Sequence, residues 1–124
     1  MSAIRSAAPQ FLVRDLRRSL DFYEQRLGFA VDFVYEGFYA EVSRGGAVIH
    51  LKCADKVQAD REHRRAHDHL DAFVDVTGVR ELFDELKSRG APLPSGLDRR
   101  PWNALDFHVV DPDGYILCFS SGEP

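Results

Sequence analysis

The side chains in this sequence that could do chemistry are few and scattered. His50, Asp71 and Cys118 offer an imidazole, a carboxylate and a thiol, each a competent metal ligand. Asp71, Asp75 and Asp106 could meet a cationic group. Phe73 and Trp102 could stack on planar rings or on cations. His50 with Asp71 could also exchange protons with a bound substrate, provided both reach it. The stretch His63–His69, HRRAHDH, has a metal-like composition, which a solvated charged segment shares. There is no G-x-S-x-G, no H-E-x-x-H, no P-loop and no dinucleotide fingerprint.

These residues need elements to hold them, and the chain supplies the same set twice. Pro9, Phe11 and Val13 alternate as in a strand. Asp15 then suits a helix N-cap, Leu16, Leu20, Tyr23 and Leu27 recur at helical spacing, and Gly28 is a left-handed stop. In the second half Ala72, Val74 and Val76 alternate, and Thr77 or Gly78 opens a helix. Val79, Leu82, Phe83 and Leu86 share one face of it, and Gly90 ends it. Setting Val13 on Val76 also sets Leu16 on Val79, Leu20 on Phe83 and Tyr23 on Leu86.

Three strand-like segments follow each helix. In the first half these are Ala30–Val34, Phe38–Ser43 and Ala47–Lys52, the last two split by Arg44-Gly45-Gly46. In the second they are an edge near Ala91–Pro94, then Ala104–Val110 and Tyr115–Ser120, the last two split by Asp111-Pro112-Asp113-Gly114. The expected fold is α+β: two βαβββ modules, about 5–53 and 69–121, forming an open cup-shaped mixed sheet with the helices outside. Both belong to a single domain over 1–124. Ala54–Asp68, charged and poor in large apolar residues, reads as a surface linker.

Period-two alternation separates the strand faces. With Phe11, Val13, Ile49, Leu51, Val74, Leu117 and Phe119 under the helices, the opposite faces carry His50, Lys52, Asp71, Phe73, Asp75, Ile116 and Cys118. Curled toward each other, such faces make a concave pocket with a few polar groups, the usual form of a ligand site. The same alternation suits a solvated sheet face.

Composition narrows the function classes. Apolar residues make up 44% and charged residues 29% of 124, with a net charge of −4. Acids and bases are interspersed, and the densest basic run, Arg61–Arg65, is broken by Glu62 and His63. No nucleic-acid partner is expected. No apolar run approaches the roughly 20 residues of a membrane span, and Met1–Ala8 lacks an apolar secretion segment. Cys53 and Cys118 are expected to be reduced thiols in a cytoplasmic protein.

Three stretches resemble one known family: VRDLRRSLDFYEQRLGF (Val13–Phe29), VDVTGVRELFDELKSRGA (Val74–Ala91) and PWNALDFHVVDPDGYILCF (Pro101–Phe119). The chain resembles the vicinal oxygen chelate superfamily, which includes glyoxalase I, bleomycin-resistance proteins and extradiol dioxygenases. The resemblance implies paired βαβββ modules in a cup, often as a dimer. Its enzymes bind a divalent metal through inner-face residues of the outer strands. The resemblance carries those ligand positions onto Ala8, Asp71 and Cys118, with His50 equivalent to Cys118 in the first module. The family's usual His, His, Glu set is therefore absent, and Ala8 can coordinate nothing.

The resemblance thus implies a homodimeric, drug-sequestering binding protein of the bleomycin-resistance kind. It would have no catalytic residue, no resident metal and no cofactor. The expected ligand is a small molecule of cationic or aromatic character, held by His50, Asp71, Phe73, Trp102, Ile116 and Cys118, with Trp102 at the mouth. The alternative is a lyase, isomerase or dioxygenase with a non-standard metal site built on His50, Asp71 and Cys118.

Overall fold

Asp15 begins the first helix as its chemistry dictates. Its backbone is extended and its carboxylate accepts from the Arg18 N–H, satisfying one of the donors a helix start leaves open. In the computed structural model, which describes residues 2–54 and 70–122, α1 spans Leu16–Asp21 and continues as a π-helical turn over Phe22–Arg26. Gly28, at φ +72°, turns the chain out. A side chain there would be strained, and its Cβ would fall 2.8 Å from the Arg44 guanidinium.

α1 follows β1 (Gln10–Val13) and precedes β2 (Ala30–Tyr35), β3 (Tyr39–Arg44) and β4 (Ala47–Cys53). These strands form one mixed sheet in the order β1-β4-β3-β2, with β1 parallel to β4 and the rest antiparallel. The second module repeats the plan with β5 (Ala72–Asp75), α2 (Val79–Ser88), β6 (Asp98–Arg99), β7 (Leu105–Val110) and β8 (Ile116–Ser121). Its sheet order is β5-β8-β7-β6. The registers match as well. Gln10 pairs with His50 and Phe73 with Cys118; Glu41 pairs with His50 and His108 with Cys118. His50 and Cys118 are thus equivalent, and two residues before Gln10 and Phe73 stand Ala8 and Asp71.

The sequence places one strand wrongly. Ala91–Pro94 is not a strand; the edge strand is the two-residue β6, Asp98–Arg99. Pro92 and Pro94 lack the N–H a ladder needs, and Leu93 instead packs on the core. The linker Ala54–Asp68, beyond its first residue, and the His63–His69 stretch lie outside the described residues.

Each helix covers its own sheet, and one apolar cluster runs through both modules. Val13, Tyr23, Val42, Leu51, Val79, Leu86, Phe107 and Leu117 are all closed to solvent. Among the described residues no helix is long and apolar enough to cross a membrane.

Candidate functional site

The helix-distal faces hold the side chains that the sequence singles out, and the two sheets present them differently. On the first sheet the face is open. Phe33 and Tyr35 are exposed, and His50 and Glu41 are half-buried. Gln10 donates to the Tyr39 hydroxyl at 3.0 Å, and that hydroxyl lies 2.8 Å from His50 Nδ1. The other ring nitrogen, Nε2, lies 3.2 Å from the Glu41 carboxylate. Both imidazole nitrogens are engaged, so His50 is positioned as a polar wall rather than as a ready ligand or base.

On the second sheet the same face is closed along β7 and β8 and open along β5. Ile116 and Cys118 are each 1% exposed, and Asp106, His108 and Ser120 are buried with them. Burial and the neighbouring Asp106 carboxylate push the Cys118 thiol up to about 12, so it stays protonated and bonds to Asp106. Asp106 also takes the Arg100 guanidinium, whose Nε lies 3.0 Å from both carboxylate oxygens and whose Nη2 lies 2.9 Å from Oδ1. Asp106, His108 and Cys118 offer three donor atoms all within 4.8 Å of one another, the one such group among the described residues. A metal there would have to displace Arg100 from Asp106 and strip the thiol proton. The group as it stands is a closed ion pair and hydrogen-bond cluster.

The residues expected at the site are therefore only partly brought together. Phe73 lies beside Cys118 in register and is 64% exposed. Asp71 sits against Ile116: its Oδ2 accepts from the Ile116 N–H at 2.9 Å, and its own N–H donates to the Ile116 carbonyl. Trp102 stands at the tip of the β6–β7 hairpin, 73% exposed. His50 belongs to the other sheet and keeps to Tyr39 and Glu41. Among the described residues His50, Asp71 and Cys118 do not form one ligand group. Sequence reasoning missed Tyr39, Glu41 and His108. Period-two alternation along β7 would have found His108, since it and Asp106 share a face with Cys118.

The positions that carry metal ligands in the enzymes resembled here do not fit a metal. Ala8 has no donor, Asp71 is turned onto the β8 backbone, and Cys118 is a protonated thiol tied to Asp106.

Comparison with known proteins agrees with the fold. The family model described as "Glyoxalase/Bleomycin resistance protein/Dioxygenase superfamily" matches residues 6–119. A bleomycin resistance protein of Geobacillus stearothermophilus is 28% identical over 122 residues, covering 90% of this chain and 92% of that protein. One of Staphylococcus aureus is equally similar. Among solved structures, the bleomycin-binding protein of bleomycin-producing Streptomyces verticillus, complexed with copper(II)-bleomycin, superposes with a TM-score of 0.74 at 22% identity. That match covers 99% of this chain and all of the other. The bleomycin resistance determinant encoded on the transposon Tn5 superposes with a TM-score of 0.77 at 21% identity, over 98% of this chain and 100% of that one. At such identities the structures share the fold.

Proposed function

The chain belongs to the glyoxalase, bleomycin resistance protein and dioxygenase superfamily, and from that premise we propose that it binds and sequesters a small molecule without a resident metal. The observation that carries this reading is the donor set at the family's metal positions. With Ala8, a committed Asp71 and a neutral Cys118, those positions supply no three-ligand centre with an open coordination site to activate a substrate.

The ligand surface consists of Phe73 and Trp102 as exposed stacking groups, with Asp71 as a polar contact and Ile116 and Cys118 as buried floor, whereas His50, on the other sheet, stays with Tyr39 and Glu41. Large exposed aromatics such as these are costly unless something covers them. With the acids nearby, they suit a flat, cationic ligand. The bleomycin resistance proteins it resembles support a drug of that chemistry. The protein is read as a homodimer, the open first-sheet face with Phe33 and Tyr35 being a surface that a second copy would cover.

Trp102 is the sole tryptophan, so its emission reports on this face alone. Titration with bleomycin, metal-free and copper-loaded, is expected to shift Trp102 emission saturably. At 100 times its dissociation constant the drug is expected to stabilise the fold by roughly 2.7 kcal/mol. One tightly held divalent ion per chain, lost on His50→Ala or Asp71→Ala, would overturn the reading in favour of an enzyme. Light scattering is expected to give twice the 14.1 kDa chain mass; a particle of that single mass at high concentration would sink the dimer.

A further inference from the structure

The two modules grip each other through their β-hairpins, and the two grips are not alike. At the first, the hairpin between β7 and β8 presses on β1 and α1. Tyr115 stacks on Phe11, Asp111 takes the Tyr23 hydroxyl, and Asp113 takes the Arg14 N–H. The repeat fixes what should stand at the second. Counting from the equivalent pair His50 and Cys118, Ala47 stands in the place of Tyr115. Arg44, which pairs with Ala47, stands in the place of Asp111, which bonds to Tyr115. Val74 stands in the place of Phe11.

One polar pin survives there with its chemistry changed. Arg44 bonds Glu85 through both guanidinium nitrogens, at 2.7 and 2.9 Å, next to Leu86, which holds the place of Tyr23. The ring stack does not survive. Where one grip has Tyr115 on Phe11, the other has Ala47 and Val74 at the matching positions, and the hairpin tip is Gly45-Gly46. The space the rings would fill is part of an open-sided pocket of about 820 Å³ bordered by Ala47, Val74, Ile49, Phe119 and Leu82.

We propose that this second hairpin seam is a ligand pocket of its own, taking a flat aromatic cation. Its size is that of a small-molecule site, and its walls are apolar strand and helix side chains. Its charged lining is Arg44 against Asp75, Glu81 and Glu85. Glu85 holds Arg44, which leaves Asp75 and Glu81 as the excess charge at the rim. An aromatic body replaces the two rings the repeat has lost, and its cationic end meets those two carboxylates. The seam reaches across the sheet edge, since Phe73 and Asp75 of the helix-distal face line it beside Leu82 and Leu86 of α2, but neither Trp102 nor His108 borders it.

The test uses thioflavin T, a flat cationic dye whose emission rises when it is immobilised. The expected result is saturable binding of one dye per chain. Ala47→Tyr, which restores the ring, is expected to weaken it at least tenfold. The paired change Asp75→Asn with Glu81→Gln is expected to weaken the dye several-fold while leaving anionic anilinonaphthalene sulfonate no weaker. In the unaltered protein, amide shifts on dye addition are expected at Ala47, Val74 and Gly78. This mapping decides the matter if Ala47→Tyr does not fold. Unchanged dye affinity in folded Ala47→Tyr, or shifts centred on Trp102 and His108, would overturn the proposal.

Discussion

Tyr115 lies flat on Phe11, with ring centroids 4.2 Å apart and planes 4° apart, although 104 positions separate them in the chain. The stack joins the last hairpin to the first strand. The Tyr115 hydroxyl extends it by accepting from the Leu12 N–H at 2.8 Å. Tyr115→Phe keeps the stack and orphans that donor, so it is expected to cost about 1–2 kcal/mol. Tyr115→Ala removes the ring from a buried seam and is expected to cost about 3–5 kcal/mol. Urea unfolding of both variants measures the gap. Equal costs would mean the stack itself contributes nothing.

Much of this was legible in the residues, because local chemistry decided it. Asp15, Gly28, Gly90 and the Asp111–Gly114 turn set where elements begin and end, and alternation along β1, β4, β5 and β8 gave the faces. What stayed hidden depends on contacts distant in sequence. Nothing local marks Arg100 as the partner of Asp106, or Tyr39 and Glu41 as the two groups that occupy His50. Nor does alternation reveal that the second sheet's distal face is closed along β7 and β8 while the first is open. The π-helical turn at Phe22–Arg26 has no signal we can identify in the residues.

Asp111 sets a pH dependence. Its carboxylate accepts from the Tyr115 and Asp113 N–H groups and the Tyr23 hydroxyl, yet burial outweighs them and pushes it from 3.8 up to about 6. The folded chain therefore holds this proton more tightly than the unfolded chain. The stability it contributes is full below about pH 4 and is lost as pH rises through about 6, roughly 3 kcal/mol in all. Asp111→Asn has no such proton. Its stability relative to the unaltered protein is expected to rise between pH 4 and pH 7, as read from urea midpoints at several pH values. A flat difference would show that the carboxylate is ionised throughout.

The two thiols should be distinguishable by reaction. Cys118 is buried and held protonated to about 12, so at pH 8 about one molecule in ten thousand carries the thiolate, the form that reacts. Cys53 is half-buried, its sulfur 3.6 Å from the Arg14 carbonyl. A disulfide reagent is expected to modify one thiol per native chain and two in urea, and native Cys53→Ser is expected to be inert. Rapid labelling of native Cys53→Ser would refute the closed setting drawn for Cys118.

Arg100 and Asp106 should prove unequal partners. Asp106 is 5% exposed, whereas about a third of the Arg100 side chain reaches solvent. Removing the arginine leaves a carboxylate inside the sheet face without its cation, beside the Cys118 thiol and the His108 ring. Breaking a buried pair in this direction costs about 3–5 kcal/mol, and the partial exposure of Arg100 argues for the lower end. Replacing Asp106 by Asn instead leaves a guanidinium that can turn to water, and the amide still fills the space. Arg100→Ala is therefore expected to destabilise by about 3 kcal/mol and Asp106→Asn by about 1 kcal/mol. Denaturant midpoints of the two single variants and the double variant measure both costs and the coupling between them. If Asp106→Asn is the costlier change, or if the double variant is the sum of the singles, the ion pair does not close this face. The cluster of Asp106, His108 and Cys118 would then have to be held by something other than Arg100.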